Sequence, residues 1–364
     1  MNDVLSLSGI DFVELYVVNA KQAAYYYMAA FGFQPLAFAG LETGQKDRES
    51  YVLQQGNIQL VLTSPLLSGT EIGQHIDKHG DGISRIALTT QDATLAHEET
   101  LRRGANSFLS PMILKDDFGN VTLSGIDALG DVKHLFVERK DYRGVFLPGY
   151  EKWKPQFQVK PAGLKDIDHM ALAVELGTLE KWTNYYDNIL GFNQIFSMDD
   201  TEASTEYTAL MNKILGNGNG RIKFSICEPA RGKRKSQIDE YLGYYGSAGV
   251  QHLAFATDEI LETVASLKSR GVEFLHVPDD YYDGIGDRIG EIKEEMAMLQ
   301  DLRILADRDE EGYLMQIFTK PVQPRPTLFL EVIQRNGCKS FGKGNFKALF
   351  EAVEREQMRR GNLV

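Results

Sequence analysis

Asp166-Ile167-Asp168-His169-Met170-Ala171-Leu172-Ala173-Val174 reads as a β-strand, and the pattern of elements after it decides the fold. The run Leu179–Ile189 has helical spacing and closes at Leu190-Gly191-Phe192-Asn193, a C-cap glycine with an aromatic residue and a new strand beyond it. The same order opens the chain. Gly9-Ile10-Asp11-Phe12-Val13-Glu14-Leu15-Tyr16-Val17-Val18 reads as a strand, Ala20–Ala30 as a helix, and Phe31-Gly32-Phe33-Gln34 as its end. A second pair also matches. Gly82-Ile83-Ser84-Arg85-Ile86-Ala87-Leu88 resembles Gly249-Val250-Gln251-His252-Leu253-Ala254-Phe255. Each leads into a helical run that ends in Arg103-Gly104-Ala105 or Arg270-Gly271-Val272. The chain therefore repeats four strand–helix–strands units, paired as two homologous halves of an α+β fold. Tyr150–Lys165, with Pro155 and Pro161, is the expected linker, giving domains 1–152 and 153–364.

The second half carries a spaced set of metal donors. His169 and His252 lie in the strands already quoted, and Glu331 lies in Leu328-Phe329-Leu330-Glu331-Val332-Ile333. A lone histidine in an apolar strand is more often a core residue than a ligand. These three share strand faces with Ala171, Ala173, Ala254, Ala256, Phe329 and Ile333, so they point together into an enclosed space. A buried carboxylate there needs a charge partner or a metal. Two imidazoles and one carboxylate leave the opposite positions of an ion open, the pattern of mononuclear non-haem Fe(II) oxygenases. Zinc hydrolases use the same donors, but no accompanying hydrolase or phosphate-loop motif occurs. The repeat supplies an internal control. Phe12 corresponds to His169 and Arg85 to His252, while Glu138 is the nearest candidate counterpart of Glu331. The first half repeats the scaffold without the histidines.

The chain has 364 residues, 43% of them hydrophobic, enough for two full cores. A net charge of −12 argues against nucleic acid and anionic membranes as partners. Cys227 and Cys338, the only cysteines, make neither a disulfide framework nor a thiolate zinc site. No apolar run reaches membrane-spanning length and the start lacks a signal-peptide pattern, so a reduced cytosolic protein is expected.

Several longer segments are more specific. They are Gly249-Val250-Gln251-His252, Gln316-Ile317-Phe318-Thr319-Lys320-Pro321, Arg325–Arg335 and Phe341-Gly342-Lys343-Gly344-Asn345-Phe346, joined by Val145-Phe146-Leu147-Pro148-Gly149-Tyr150. With these segments the chain resembles, over nearly its whole length, the 4-hydroxyphenylpyruvate dioxygenase and 4-hydroxymandelate synthase family of the vicinal oxygen chelate superfamily. The resemblance implies βαβββ modules, paired in each domain, that curl into open barrels, and a C-terminal lid helix over Asn345–Arg360. It implies Fe(II) held by His169, His252 and Glu331, with an aromatic 2-oxo acid and dioxygen as substrates. Oxidative decarboxylation and ring hydroxylation would then give homogentisate, as in tyrosine catabolism. It further implies catalytic roles for Gln237, Gln316 and Asn345. Phe318, Phe329, Phe341 and Phe346 become substrate walls, where aromatic rings suit an aromatic substrate. Gly342 and Gly344 suit a hinge before the lid. Gln251, next to His252 in sequence, is expected to face away from it. A homodimer or homotetramer is implied as well.

The chain departs from the family at one wall. The family pattern Pro-x-Asn-Glu-Pro reads Ser225-Ile226-Cys227-Glu228-Pro229 here, and Thr208 stands where a serine is usual. With Ser225, Cys227 and Thr208 as substrate contacts, loss of the amide weakens the polar end by about 1–3 kcal/mol. That predicts an altered substrate preference. Benzylic hydroxylation to 4-hydroxymandelate, and a non-catalytic binding protein on the same fold, are the competing readings. The remaining histidines receive structural readings: His75 and His79 in a polar helix, His97 on a surface helix, His134 on a strand and His276 beside Val277-Pro278. Asp307–Glu311 reads as a solvated turn.

Overall fold

The computed structural model describes residues 5–198, 205 and 207–363. The first half runs β1 (Gly9–Tyr16), α1 (Ala20–Phe31), β2 (Gln34–Ala39), β3 (Arg48–Gln55), β4 (Ile58–Pro65), α2 (Glu71–His79), β5 (Gly82–Thr89), α3 (Ala93–Arg102), β6 (Ser107–Asp116), β7 (Gly119–Asp127), β8 (Lys133–Glu138) and β9 (Glu151–Lys152). The second runs β10 (Leu164–Ala173), α4 (Leu179–Tyr185), β11 (Asn193–Met198), β12 (Ala209–Gly216), β13 (Lys223–Ala230), α5 (Gln237–Tyr245), β14 (Gly249–Thr257) and α6 (Ile260–Ser269). It continues through α7 (Ile285–Ile289), α8 (Met296–Leu302), β15 (Leu305–Arg308), β16 (Tyr313–Phe318), β17 (Phe329–Asn336) and α9 (Phe346–Arg360). Each half is thus two βαβββ modules, with α2 or α5 between them.

Among the described residues the strands form two sheets. Their orders are β6-β7-β8-β5-β1-β4-β3-β2-β9 and β11-β12-β13-β10-β14-β17-β16-β15. In each, the opening strands of the two modules pair antiparallel at the centre, β1 with β5 and β10 with β14. The last strand of each module lies parallel to that module's own first strand, and both sheets curl around an interior. The helices cap where glycine permits. Gly32 and Gly191 sit at φ 76° and 72°, a left-handed region that costs glycine nothing. The Leu179–Ile189 helix is not uniform: α4 ends at Tyr185 and a wider π turn over Tyr186–Leu190 completes it. That turn sets Tyr186 against His134 of the first half (3.0 Å).

One buried cluster runs through both halves, joining Phe33 to Phe255 with ring centroids 5.9 Å apart. The linker is held rather than slack. Gln55 Oε1 accepts the N–H groups of Ala162, Gly163 and Leu164 at 2.7, 3.0 and 3.2 Å. His75 and His79 are buried where α2 meets the second half, not on a polar surface. His79 lies between the carbonyl of Tyr245 (2.5 Å) and the carboxylate of Asp131 (2.8 Å). His97 is buried too, against Ser107 (2.8 Å). No described helix is long and apolar enough to cross a membrane.

Both central strand pairs carry β-bulges at matching places. In β10·β14 the register skips Asp168 on one strand and Gln251 on the other. In β1·β5 it skips Asp11 and Ser84. A bulge sets two consecutive residues against one partner and re-aims a side chain. Asp168 and Gln251 both gain their roles near the metal donors in this way.

Candidate metal centre

The registers place His169, Ala254 and Glu331 in one row across β10, β14 and β17. The next row holds Ala171, His252 and Phe329. Only a methyl at Ala254 separates the two outer side chains, so imidazole and carboxylate reach over it. His169 Nε2 and His252 Nε2 each stand 3.3 Å from Glu331 Oε2. One ligand atom from each residue falls within 4.8 Å of the others, and His169 and Glu331 are 5% and 2% exposed. Both ring nitrogens of His252 are buried without a hydrogen-bond partner among the described residues. Donor atoms about 2.0–2.2 Å from one ion, at right angles, stand about 3 Å apart. The donor set, the spacing and the orphaned His252 nitrogen fit a divalent metal. Burial pushes the Glu331 carboxyl up, and the two imidazoles more than offset that and hold it below its usual range.

A second layer orients the first. The bulge turns Asp168 toward its neighbour, and His169 Nδ1 donates to Asp168 Oδ1 (2.8 Å). A carboxylate can only accept, so Nδ1 carries a proton, and Nε2 is the nitrogen left to meet an ion. Arg335 grips the same carboxylate with two hydrogen bonds, Nε to Oδ2 at 2.8 Å and a terminal nitrogen to Oδ1 at 3.0 Å. Lys223 Nζ lies 3.6 Å away. Burial opposes the charge on Asp168, yet His169 and Arg335 hold its carboxyl well below the ordinary range. The Arg335 guanidinium lies 4.8 Å over the Phe341 ring, and Phe341 meets His169 edge-on at 5.1 Å.

Above the triad is a cavity of about 50 Å³. Ser225, Cys227, Gln237, Gln316, Phe318, Phe329, Phe341 and Phe346 lie on its wall, together with the triad. Phe329 tilts over His252 at 4.8 Å and Phe318 meets it edge-on at 6.0 Å. Two of the expected contacts lie elsewhere. Thr208 is buried but off the cavity wall, because its hydroxyl donates to Glu354 on α9 (2.6 Å) and so fastens that helix. Asn345 sits behind the wall: Tyr281 donates its hydroxyl to Asn345 Oδ1 (2.6 Å), and Asn345 Nδ2 has no partner among the described residues. Gly342, at φ 74°, forms the turn between Phe341 and α9. A Cβ on it would lie 2.6 Å from Gln316 Oε1 and would push that amide aside, so glycine suits the turn in backbone and leaves the glutamine in place. Asp307–Glu311 is no simple solvated turn. Asp307 accepts the Gly344 N–H, and Asp309 accepts those of Lys339 and Ser340, all at 2.8 Å, pinning the segment that leads into α9.

Five wall residues escape a reading of the sequence, Leu210 of β12 among them. Alternation turns Gln251 away from His252, but the β14 bulge brings it onto the cavity wall. Asn212 lines the cavity from β12, directly opposite Cys227 in register. Its signal is the hairpin Ala209–Ala230, whose pairing aligns residues 212 and 227. Leu349 and Phe350 come three and four residues after Phe346, the spacing that shares a helix face. The register also fixes the counterpart of Glu331. In the first half the row reads Phe12, Ala87, Leu135, so Leu135 takes that position. Glu138 instead accepts the N–H of Ala93 at the start of α3 (3.1 Å).

Paired βαβββ halves, with a two-histidine, one-glutamate cluster in one of them that could hold a metal ion, define a protein of the vicinal oxygen chelate class. Residues 1–150 match the family model "Hydroxyphenylpyruvate dioxygenase, HPPD, N-terminal". Residues 166–317 match "Glyoxalase/Bleomycin resistance protein/Dioxygenase superfamily". Two curated relatives are both named 4-hydroxyphenylpyruvate dioxygenase. The one from Dictyostelium discoideum is 43% identical, covering 98% of this chain and 100% of its own. The one from Xenopus tropicalis is 45% identical, covering 96% and 91%. Among solved structures, a triple mutant of 4-hydroxymandelate synthase from Streptomyces coelicolor superposes with a TM-score of 0.86 at 34% identity, covering 97% of this chain and 99% of its own. The chain belongs to the 4-hydroxyphenylpyruvate dioxygenase family.

Proposed function

We propose that this chain is an Fe(II)-dependent dioxygenase that converts 4-hydroxyphenylpyruvate and dioxygen into homogentisate and carbon dioxide. The observation that carries the reading is the convergence of His169, His252 and Glu331 beneath a cavity walled by Phe318, Phe329, Phe341 and Phe346. Its kinship with proteins named for that activity, end to end, supports it. Residues 1–152 serve as a metal-free scaffold domain and residues 153–364 as the catalytic one. When bound, Fe(II) would supply the dioxygen chemistry that side chains alone lack.

The chain's own residues do the rest. Asp168 and Arg335 fix the His169 ring so that Nε2 faces the centre. Phe318 and Phe329 hold an aromatic ring close to His252, which limits where oxidation can fall. Gln237, Gln251 and Gln316 offer neutral amides that orient oxygen atoms without changing the local charge. Asn345 supports the turn through Gly342 rather than touching substrate. Phe346, Leu349 and Phe350 on α9 close the cavity and exclude water. A reduced cytosolic setting fits the two buried free thiols, Cys227 and Cys338.

A second reading, benzylic hydroxylation to 4-hydroxymandelate, is favoured by the small Ser225 and Cys227 wall, which leaves the ring room to sit differently. Oxygen uptake by Fe(II)-loaded protein with 4-hydroxyphenylpyruvate, with identification of the product, separates the two. Homogentisate is the expected product and 4-hydroxymandelate would transfer the assignment to the second reading. Absence of uptake by protein that demonstrably holds iron would remove both.

A further inference from the structure

A second cavity lies behind the one that holds the triad, and the proposed chemistry makes no use of it. It measures about 30 Å³ and shares Gln237, Gln251 and Phe329 with the first, so those three side chains are the partition between the two. Phe329 tilts over His252 at 4.8 Å, so the residue that faces a metal donor on one side borders this space on another. Beyond the partition the wall is mainly apolar, with Leu275, Pro321, Pro326 and Val353 on it. Two threonines there have engaged hydroxyls: Thr319 Oγ1 accepts the Leu330 N–H at 3.0 Å, and Thr327 Oγ1 accepts from Gln323 at 2.7 Å. The outer end is charged but balanced. Arg360 donates to both oxygens of Glu240, at 2.7 and 3.3 Å, and stands 3.9 Å from Glu356, which Lys320 approaches to 3.7 Å.

We infer that this second cavity is an antechamber for dioxygen, a gas route to the triad separate from the opening that admits the organic acid. This rests on the function proposed above. Three observations support the assignment. The first is fit: the space takes one very small molecule and not an aryl 2-oxo acid, and small apolar cavities stay dry and take up apolar gases. The second is charge. Two carboxylates match two cations at the outer end, so no spare cation draws in an organic anion. The third is the partition itself. The Gln237 and Gln251 amides have no hydrogen-bond partner among the described residues, so turning one aside breaks no bond within the protein. An acid lying over the triad fills the first cavity. A gas that enters past these amides reaches the triad without crossing the acid's own entrance.

Xenon-pressurised crystals of the metal-free protein test the site. Xenon is expected between Phe329 and Val353, and its absence there would overturn the inference. Turnover at saturating 4-hydroxyphenylpyruvate, with dioxygen varied, tests the route. Val353→Phe fills the space from α9 and is expected to exclude xenon and raise the dioxygen KM severalfold, while the Kd of the acid, from anaerobic titration, keeps its native value. Leu275→Phe fills the space from a different segment and is expected to do the same. Overpacking costs about 1–3 kcal/mol, so melting curves identify a variant that has lost its fold, and the other then decides. An unchanged dioxygen KM in a folded variant that excludes xenon would overturn the route. So would a raised Kd for the acid at an unchanged dioxygen KM, because the space would then belong to the acid. Those failures leave the dioxygenase reading in place. Absence of oxygen uptake by the native iron-loaded protein would remove that reading and the route with it.

Discussion

Phe12, Arg85 and Leu135 occupy in the first half the positions that His169, His252 and Glu331 occupy in the second. The supports around them are nevertheless the same. Asp11 sits at a bulge, as Asp168 does, and Arg139 grips it with two nitrogens, at 2.9 and 2.7 Å. Arg139 lies 5.3 Å over Phe146, which meets Phe12 edge-on at 5.2 Å. Arg335, Phe341 and His169 repeat that arrangement. The bulge, the aspartate, the arginine and the phenylalanine are therefore parts of the scaffold. In the second half the same aspartate also orients a candidate metal donor, His169.

The interiors differ in what fills them. Phe146 and Leu147 fold back into the first barrel and pack on Phe12, Val61 and Leu135. Beside them Glu14 forms a buried ion pair with Arg85 (3.3 Å) and accepts from Thr63 (2.7 Å). The space is taken and the charges are matched. In the second half the segment after Arg335 does not fill the barrel; it continues into α9, which covers a cavity. A filled interior stabilises, whereas an open one can bind.

The contrast can be broken most severely at the triad. Glu331→Ala is expected to reduce bound iron and oxygen uptake below detection, read by metal analysis and an oxygen electrode. Its counterpart change, Leu135→Ala, is expected to cost about 2–5 kcal/mol of stability and leave iron content untouched. Next in size is Glu14→Ala. It strands the Arg85 guanidinium in the first barrel, and urea denaturation is expected to show a loss of about 3–5 kcal/mol. A loss under about 1 kcal/mol, the size of an exposed pair, would mean that the ion pair is not what holds that interior together. The smallest effect sharpens the comparison most. Arg335→Met is expected to weaken iron binding by about ten- to a hundredfold, whereas Arg139→Met, with the same contacts in the first half, is expected to change stability alone. Equal iron affinities in the two variants would show that the Asp168 support does not act on the metal.

Much of the site is legible in the strands because strand alternation is local. His169, His252 and Glu331 each betray a polar residue on an apolar face, and the repeat shows which half lacks the histidines. The aromatic walls come from the same alternation and from the resemblance. The departures also share a cause. Alternation puts Gln251 on the wrong face because a bulge breaks the pattern at one residue. Thr208 reads as a substrate contact and Asn345 as a catalytic residue, but both support α9 and the turn before it, contacts made across more than 60 residues of chain. Asn212 carries no local sign at all, since its meaning comes from facing Cys227 across a hairpin.

The sequence by itself determined the two-fold repeat, the half that holds the metal donors and the aromatic character of the cavity. Each of these is written in periodicities of two or 3.6 residues within single elements. Only the tertiary structure decided which neighbours serve the donors, that the first barrel is filled by Phe146 and Leu147, and that an amide stands at the far wall. Those are contacts between strands and segments distant in the chain, and their register depends on bulges and packing rather than on any one element's pattern.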